Sequence, residues 1–123
     1  AVLVEMSYRP FFTEYLPSIM GRMMLDDVDD LTTCIEIVIT DDPGPTWRLV
    51  VTEGRLTHVG HDGPEPDCSF HSDEQTFLEL ASARLSPANA FMELRVDVTG
   101  DLEIGMRLSF ALEEFFHRYP YTP

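Results

Sequence analysis

The side chains that can carry metal or nucleophilic chemistry are few, and their spacing does not group them. His58 and His61 stand three positions apart in strand-like sequence, so their side chains point to opposite faces. His71 and His117 are isolated, and no spacing matches a known set of metal ligands. The sequence therefore predicts no metal site and places these histidines at the surface or at the rim of a site.

A nucleophile paired with a base is no better supported. The chain has no Gly-x-Ser-x-Gly elbow and no glycine-rich phosphate loop, because its glycines stand singly in turns. Cys34 and Cys68 both fall in strand-like sequence. Their number permits a disulfide, but two buried thiols in a cytoplasmic protein are favoured. We therefore predict a protein of the cytoplasm that is not an enzyme and has no cofactor.

The charge of the chain argues against some partners. The formal net charge at pH 7 is −14, and all eight basic residues are arginines. Such a surface repels phosphate backbones, so we expect no nucleic-acid partner. It also lacks the polybasic patch that holds proteins on anionic membranes, which leaves at most transient membrane contact. Arg84, Arg95 and Arg107 either meet the head group of a lipid or, as is more common, balance surface acid.

Length and composition predict a single domain over residues 1–123. Of these residues 44% are apolar and 24% are charged, which is typical of a globular domain. No apolar run approaches the roughly 20 residues that a membrane-spanning helix needs. The first ten residues include Glu5 and have no basic start, which is not the pattern of a signal peptide.

Hydrophobic periodicity divides the chain into helices and strands. Helical spacing from Arg9 to Leu25 is interrupted by Pro17, which predicts a kink or two short helices. Further helices are expected after the caps Ser72, Ser86 and Asp101. Strands are predicted at 31–40, 47–52, 55–61, 68–71 and 94–98. This order predicts an α+β domain, with a five-stranded, mainly antiparallel sheet covered by helices on one face.

The helix after Asp101 is apolar around more of its circumference than a sheet can cover. A helix that only covers a sheet needs one apolar stripe, with the opposite face polar. Its apolar side chains are those of Leu102, Ile104, Met106, Leu108, Phe110, Leu112, Phe115 and Phe116. The wider arc predicts two buried sides, one against the sheet and one against another helix, a second subunit or a hydrophobic ligand.

An ordered series of residues runs between Thr46 and Phe116. Its members are Trp47, Gly54, Asp67, Ser69, Phe70, Ser72, Asp73, Phe77, Leu80, Ala81, Leu85, Pro87, Ala90, Phe91, Met92, Gly100 and Asp101. This series resembles the sterol carrier protein 2 domain, which is a lipid-transfer family. The run 100–105, GDLEIG, also resembles the bacterial accessory proteins of ubiquinone synthesis, which share that fold.

The resemblance implies an apolar tunnel between the sheet and its helices, with the final helix lining it. Members of the family bind sterols, fatty acyl chains or other lipids and are not catalysts in this domain. We therefore predict a bacterial, non-catalytic carrier of a lipid, fatty acyl, sterol-like or isoprenoid molecule. The predicted ligand-binding residues are Phe12, Met20, Phe77, Leu80, Phe91, Met92, Leu102, Met106, Phe110 and Phe115.

The chain departs from the family pattern at two places. Family members often carry lysines in and before the fifth strand, whereas residues 93–99 hold one arginine and two acids. Gly105 stands where alanine is common, at a cost of about 1 kcal/mol in helix propensity.

Two alternatives stay open beside the carrier. The first is an interaction module, as a homodimer or as an accessory subunit of a lipid or quinone biosynthetic complex. The second is an enzyme that uses the sheet as a platform for a small hydrophobic substrate, although no residue indicates a reaction.

Overall fold

The computed structural model describes residues 7–20 and 29–123. The N-terminal segment consists of a π-helical turn, Phe11–Tyr15, followed by α1, Leu16–Ile19. The last five residues of the predicted first helix, 21–25, lie outside the described residues. The other elements are β1 (Thr33–Ile39), β2 (Trp47–Thr52), β3 (Arg55–Gly60), β4 (Cys68–Ser72), α2 (Glu74–Ala81), α3 (Pro87–Met92), β5 (Asp97–Gly100) and α4 (Leu102–Arg118).

The five strands form one sheet in the order β3-β2-β1-β4-β5. Strands β1, β2 and β3 are joined by short loops and pair antiparallel. Strands β4 and β5 also pair antiparallel, although α2 and α3 lie between them in the chain. The pair β1 and β4 is parallel, because β3 and β4 run in the same direction and residues 61–67 return the chain from the end of β3 to the start of β4. The prediction of a five-stranded, mainly antiparallel sheet is confirmed.

One face of this sheet forms the core, and the helices cover it. Ile35, Ile37 and Ile39 alternate along β1 and are buried. The parallel register places Phe70 of β4 beside Ile37, so both strands present apolar side chains to the same face. On the opposite face, Glu36 accepts hydrogen bonds from Thr46 Oγ1 at 2.8 Å and Ser69 Oγ at 3.0 Å. The sheet is therefore apolar towards the helices and polar on its other side.

A polar cluster fixes the N-terminal segment to the β1–β2 loop. The hydroxyl of Tyr8 donates a hydrogen bond to Asp42 and accepts one from Trp47 Nε1 at 3.1 Å. Arg9 Nη2 lies 2.8 Å from Asp42 Oδ1. The Arg9 guanidinium, together with the hydrogen bond from Tyr8, lowers the pKa of Asp42 to about 2. Phe12 stacks on Trp47 with ring centroids 4.7 Å apart, so the same segment also enters the core.

The interruption predicted at Pro17 is present as a change of helix type. The N–H of Leu16 bonds to the carbonyl of Phe11, five residues back, which is the π-helical pattern. Pro17 has no N–H to donate and stands in the first turn of α1, where a missing N–H is tolerated. The predicted pair of short helices is therefore one π-helical turn and one α-helical turn.

The cap of α2 differs by one residue from the predicted cap. Asp73, rather than Ser72, accepts the hydrogen bond from Thr76 N, at 2.8 Å. Ser72 is the last residue of β4 and pairs with Ile39. Both residue types cap helices well, and the length of β4 decides which of them is free to do so. The predicted caps Ser86 and Asp101 are confirmed.

The fifth strand is shorter than predicted. Leu94 adopts a positive φ of 59°, and the N–H of Leu94 bonds to the carbonyl of Phe91. The N–H of Arg95 likewise bonds to the carbonyl of Ala90. These backbone groups close the end of α3 and are not available to a sheet, so β5 begins only at Asp97.

Candidate functional site

The final helix α4 has two apolar sides in different surroundings. Leu108 is fully buried, and Phe115 is buried with it against the sheet. On another side, Leu102, Met106 and Phe110 follow each other at helical spacing and are 61%, 65% and 66% exposed. The predicted second apolar side of α4 is therefore present, and the described residues leave it open.

No helix in the described parts of the chain is long and apolar enough to cross a membrane.

This open side forms one wall of a groove of about 300 Å³ between α3, β5 and α4. The lining residues are Pro87, Ala88, Phe91, Met92, Val98, Leu102, Gly105, Met106, Ser109, Phe110 and Glu113. The stripe from Leu102 to Glu113 extends about 16 Å along the helix axis, at 1.5 Å for each residue. Ser109 and Glu113 are the only lining residues with polar side chains among those the structure describes.

Gly105 sets how closely α4 approaches the sheet at this groove. It is buried, and a Cβ atom built on it would lie 2.8 Å from Val98 Cγ1 of β5. That distance is too short for two carbon atoms, so a glycine is needed for the observed approach. Ser109 donates its hydroxyl to the carbonyl of Gly105 at 2.8 Å. The hydroxyl hydrogen is therefore already engaged, so Ser109 offers no donor to a ligand, and the other lining residues before Glu113 are apolar.

A smaller cavity of about 90 Å³ lies between the sheet and the helices. Every strand and helix that the structure describes contributes apolar side chains to its walls, among them Ile35 and Phe77. Its residues Pro87, Phe91, Val98 and Ser109 also line the groove. The two hollows are thus neighbours. Phe91 stands between them and is 55% exposed.

The predicted ligand-binding residues divide between these hollows. One predicted residue, Met20, lines neither; it is half-buried and packs against the core. Those that line only the cavity are Phe12, Phe77, Leu80 and Phe115; those that line only the groove are Met92, Leu102, Met106 and Phe110; Phe91 lines both.

Sequence reasoning missed three groove residues on α4 because they are not apolar. Gly105, Ser109 and Glu113 follow Leu102 by three, seven and eleven positions. That spacing is the stripe expected on one face of a helix, so it could have identified them.

The two cysteines are unsuited to nucleophilic chemistry. Cys34 and Cys68 are buried free thiols. Cys68 pairs with Ile35 on the core face, and Cys34 precedes Ile35 and so points to the opposite face, which excludes a disulfide between them. Burial raises the pKa of both thiols, that of Cys68 to about 11. Both therefore stay protonated near neutral pH, whereas the thiolate is the reactive form.

The histidines make separate local contacts. His58 Nε2 lies 3.0 Å from the carbonyl oxygen of Asp62, and His61 Nδ1 lies 3.1 Å from that of Thr46. Over residues 7–20 and 29–123, no three His, Cys, Asp or Glu side chains come together as a metal site would require.

Two of the arginines proposed for a head group are engaged with surface acid. Arg95 donates to Glu79 and to Thr76 Oγ1. Arg107 Nη2 lies 2.7 Å from Asp30 Oδ1. Arg84 is exposed. None of the three lines either hollow, so the structure favours charge balance for Arg95 and Arg107.

The sheet, its one-sided helical cover and the apolar hollows define an α+β domain of the sterol carrier type. Residues 18–113 match the SCP-2 sterol transfer family, and the chain belongs to that family. Membership implies binding or transfer of a lipid or a sterol. The resemblance recognised in the sequence is confirmed.

Sequence similarity extends to human sterol carrier protein 2, with 26% identity over 73 residues. This alignment covers 57% of the chain and only 13% of that longer protein. Among solved structures, palmitated SCP2L2 from Aedes aegypti has a TM-score of 0.63 at 14% identity, covering 92% of this chain and 97% of that one. The UbiJ-SCP2 ubiquinone synthesis protein has a TM-score of 0.62 at 16% identity, covering 95% and 100%. These structures share the fold.

Proposed function

We propose that this domain holds a hydrophobic small molecule in the groove beside α4 and carries it without catalysing a reaction. The observation that carries the proposal is the open side of α4, where Leu102, Met106 and Phe110 form the wall of a 300 Å³ groove. Large apolar side chains exposed together on an acidic protein indicate a surface that is covered in use. Family membership supports a lipid or a sterol as the molecule that covers this surface.

The affinity would come from apolar burial. Each Å² of apolar surface removed from water contributes about 25 cal/mol, so a long acyl or isoprenoid chain gains several kcal/mol with few polar contacts. An apolar groove without metal or nucleophile in the described residues suits this role, since it has to bind and release and not to react. The palmitated mosquito relative supports an alkyl chain as the kind of molecule that the fold accepts.

The neighbouring cavity offers a place for a longer ligand. Phe12, Phe77, Leu80 and Phe115 line this cavity, and Phe91 lines both the cavity and the groove. A half-exposed phenylalanine at a surface can change rotamer quickly. We infer that a tail longer than the groove moves Phe91 aside and enters the core, which would join the two hollows into the predicted tunnel.

The first test is whether lipid accompanies the protein. Protein purified from cells without detergent is analysed by native mass spectrometry and by solvent extraction, and we expect an added mass that the extract accounts for. Delipidated protein should then bind Nile red, an uncharged fluorescent probe, at micromolar concentration. Empty extracts together with no binding of Nile red would contradict the proposal.

A matched pair of variants locates the site. Phe110 and Leu94 are both exposed apolar residues, but only Phe110 lines the groove. Phe110→Gln should weaken Nile red binding about tenfold or more, since a buried aromatic side chain contributes about 1.5–3 kcal/mol. Leu94→Gln should leave the binding unchanged. Equal effects of the two substitutions would mean that the probe binds elsewhere.

The second candidate function is an interaction module. Leu94 is 91% exposed and lies outside both hollows, so the apolar surface extends beyond what the groove needs. A second copy or an enzyme partner could cover it, and the UbiJ-SCP2 neighbour favours an accessory role in quinone synthesis. Light scattering decides between the candidates: a lipid-free dimer that dissociates when Leu94 is replaced supports interaction.

Four features remain predictions from the sequence. They are a single domain over residues 1–123, a bacterial and cytoplasmic origin, no nucleic-acid partner, and membrane contact that is at most transient.

A further inference from the structure

The groove has one charged side chain among its described lining residues, Glu113. Glu113 is the last groove residue along α4, so its carboxylate marks one end of the groove. The residue is half-buried, and within the part of the chain that the structure describes its carboxylate has no hydrogen bond and no ion pair. A half-buried carboxylate without a partner favours a donor or a positive charge beside it and opposes another anion.

The opposite end of the groove does not offer an anion site either. At the start of α4, the N–H groups of Glu103 and Ile104 both bond to Asp101 Oδ1 at 3.1 Å. The N-terminal end of a helix can attract anions through such N–H groups, but here the carboxylate of Asp101 already occupies them. An anionic head group at Leu102 would therefore meet an acid instead of free donors.

The elements around the groove also carry no spare positive charge. Residues 87–118 contain six carboxylates and three arginines. Each arginine contacts an acid: Arg95 bonds to Glu79, Arg107 lies 2.7 Å from Asp30, and Arg118 lies 3.5 Å from Glu114. No arginine of 7–20 or 29–123 lines the groove. A ligand with a negative head would therefore gain no ion pair from the lining residues that the structure describes.

We propose that the groove selects a hydrophobic ligand whose polar end donates a hydrogen bond and carries no negative charge, and that Glu113 accepts that bond. A hydroxyl or an ammonium group meets this requirement, whereas a fatty-acid carboxylate or a phosphate does not. The apolar part then lies along Met106 and Leu102. The inference rests on the proposed function, because it assigns the head-group chemistry of a ligand held in the same groove.

The test compares three molecules with one alkyl chain and different ends. Dodecanol below its solubility limit, and dodecylamine and dodecanoate below their micellar concentrations, are used to displace Nile red from delipidated protein at neutral pH. We expect dodecanol and dodecylamine to bind at least about tenfold more tightly than dodecanoate, because two like charges a few Å apart repel strongly at a partly buried site. An ionic strength of about 0.15 M limits repulsion from the distant acid, since the Debye length is then about 8 Å.

Two variants attribute the selectivity to Glu113. Glu113→Gln keeps the shape and removes the charge, and should reduce the difference between dodecanol and dodecanoate to about threefold or less. Glu114→Gln removes the same charge from the adjacent exposed residue, which does not line the groove, and should keep the full difference. Circular dichroism confirms that both variants are folded.

The outcomes separate the two proposals. If Nile red binds and dodecanoate competes as well as dodecanol, the head-group inference is overturned while the groove stays the binding site. If Glu113→Gln leaves the selectivity unchanged, the assignment to Glu113 is overturned. If neither Nile red nor any of the three alkyl compounds binds, the proposed function fails and the inference fails with it.

Discussion

Leu108 and Leu102 belong to the same helix and are the same residue type, yet Leu108 is fully buried and Leu102 is 61% exposed. Leu108 faces the sheet together with Phe115, where the strands supply an apolar floor. Leu102 faces the groove beside Met106 and Phe110, with α3 on the other side. The difference shows that one part of the apolar surface of α4 is buried and stabilises the fold, whereas the other part stays exposed after folding and is free to bind a partner or a ligand.

The limit of the sheet explains why both sides cannot be buried. β5 is the edge strand and has only four residues, Asp97–Gly100. Within residues 7–20 and 29–123 no further strand lies beyond β5 to cover the outer side of α4. The helix is nevertheless fixed against β5 by the close contact between Gly105 and Val98, so it cannot rotate its exposed side inward without losing that contact.

The largest expected effect is on the buried side. Leu108→Ala should lower the free energy of unfolding by about 2–5 kcal/mol, because it removes buried carbon atoms and leaves a cavity. Leu102→Ala, the matched change on the open side, should cost less than about 1 kcal/mol and should weaken Nile red binding instead. Urea unfolding and the probe titration measure the two effects. Similar losses of stability in both variants would remove the distinction between the two sides.

The cluster around Asp42 should affect stability and leave binding unchanged, because Tyr8, Arg9 and Asp42 line neither hollow. Asp42→Ala removes the acceptor of the buried Tyr8 hydroxyl and the partner of Arg9. Hydrogen bonds to a charged group typically contribute about 1.5–3 kcal/mol, so we expect a loss of about 2 kcal/mol with unchanged Nile red affinity. Weaker probe binding in this variant would link the N-terminal anchor to the groove.

Acid should weaken the same cluster. The pKa of Asp42 is lowered from 3.8 to about 2 in the folded chain, so its contribution to stability is complete above the unfolded pKa. That contribution is lost progressively as the pH falls through the range from 3.8 to about 2. Urea unfolding at several pH values should show that Asp42→Ala and the unsubstituted protein differ less at low pH. A difference that does not change with pH would mean that Asp42 is not stabilised as an anion.

A smaller effect on stability than at Leu108 or Asp42 is expected at Gly105, which lies between the buried and the open side of α4. Gly105→Ala gains about 1 kcal/mol of helix propensity, while the added methyl group is forced against Val98, and overpacking costs about 1–3 kcal/mol. We expect a net loss of about 1 kcal/mol and a several-fold weaker affinity for Nile red, because the groove geometry is altered. Higher stability with unchanged binding would show that α4 moves away from β5 without cost.

Much of the fold could be read from local pattern. The bounds predicted for β2 agree with the structure, and so do the helix that begins after Ser86 and the cap Asp101. The start predicted for the fifth strand, at Leu94, was wrong, because alternating apolar residues also occur where the chain closes a helix end. The local pattern does not reveal which partner a backbone N–H will choose, since that depends on neighbours in space.

The sequence by itself determined how far apolar side chains extend around α4, because helical periodicity depends only on the order of residues. Only the tertiary structure decided which of them are buried, since that depends on where the sheet ends and on how closely Gly105 lets α4 approach Val98. It also brought Glu113 to the end of an apolar groove. In the sequence, Glu113 is one of 22 acidic residues, and only its position in the folded structure, beside an apolar groove, distinguishes it from the others.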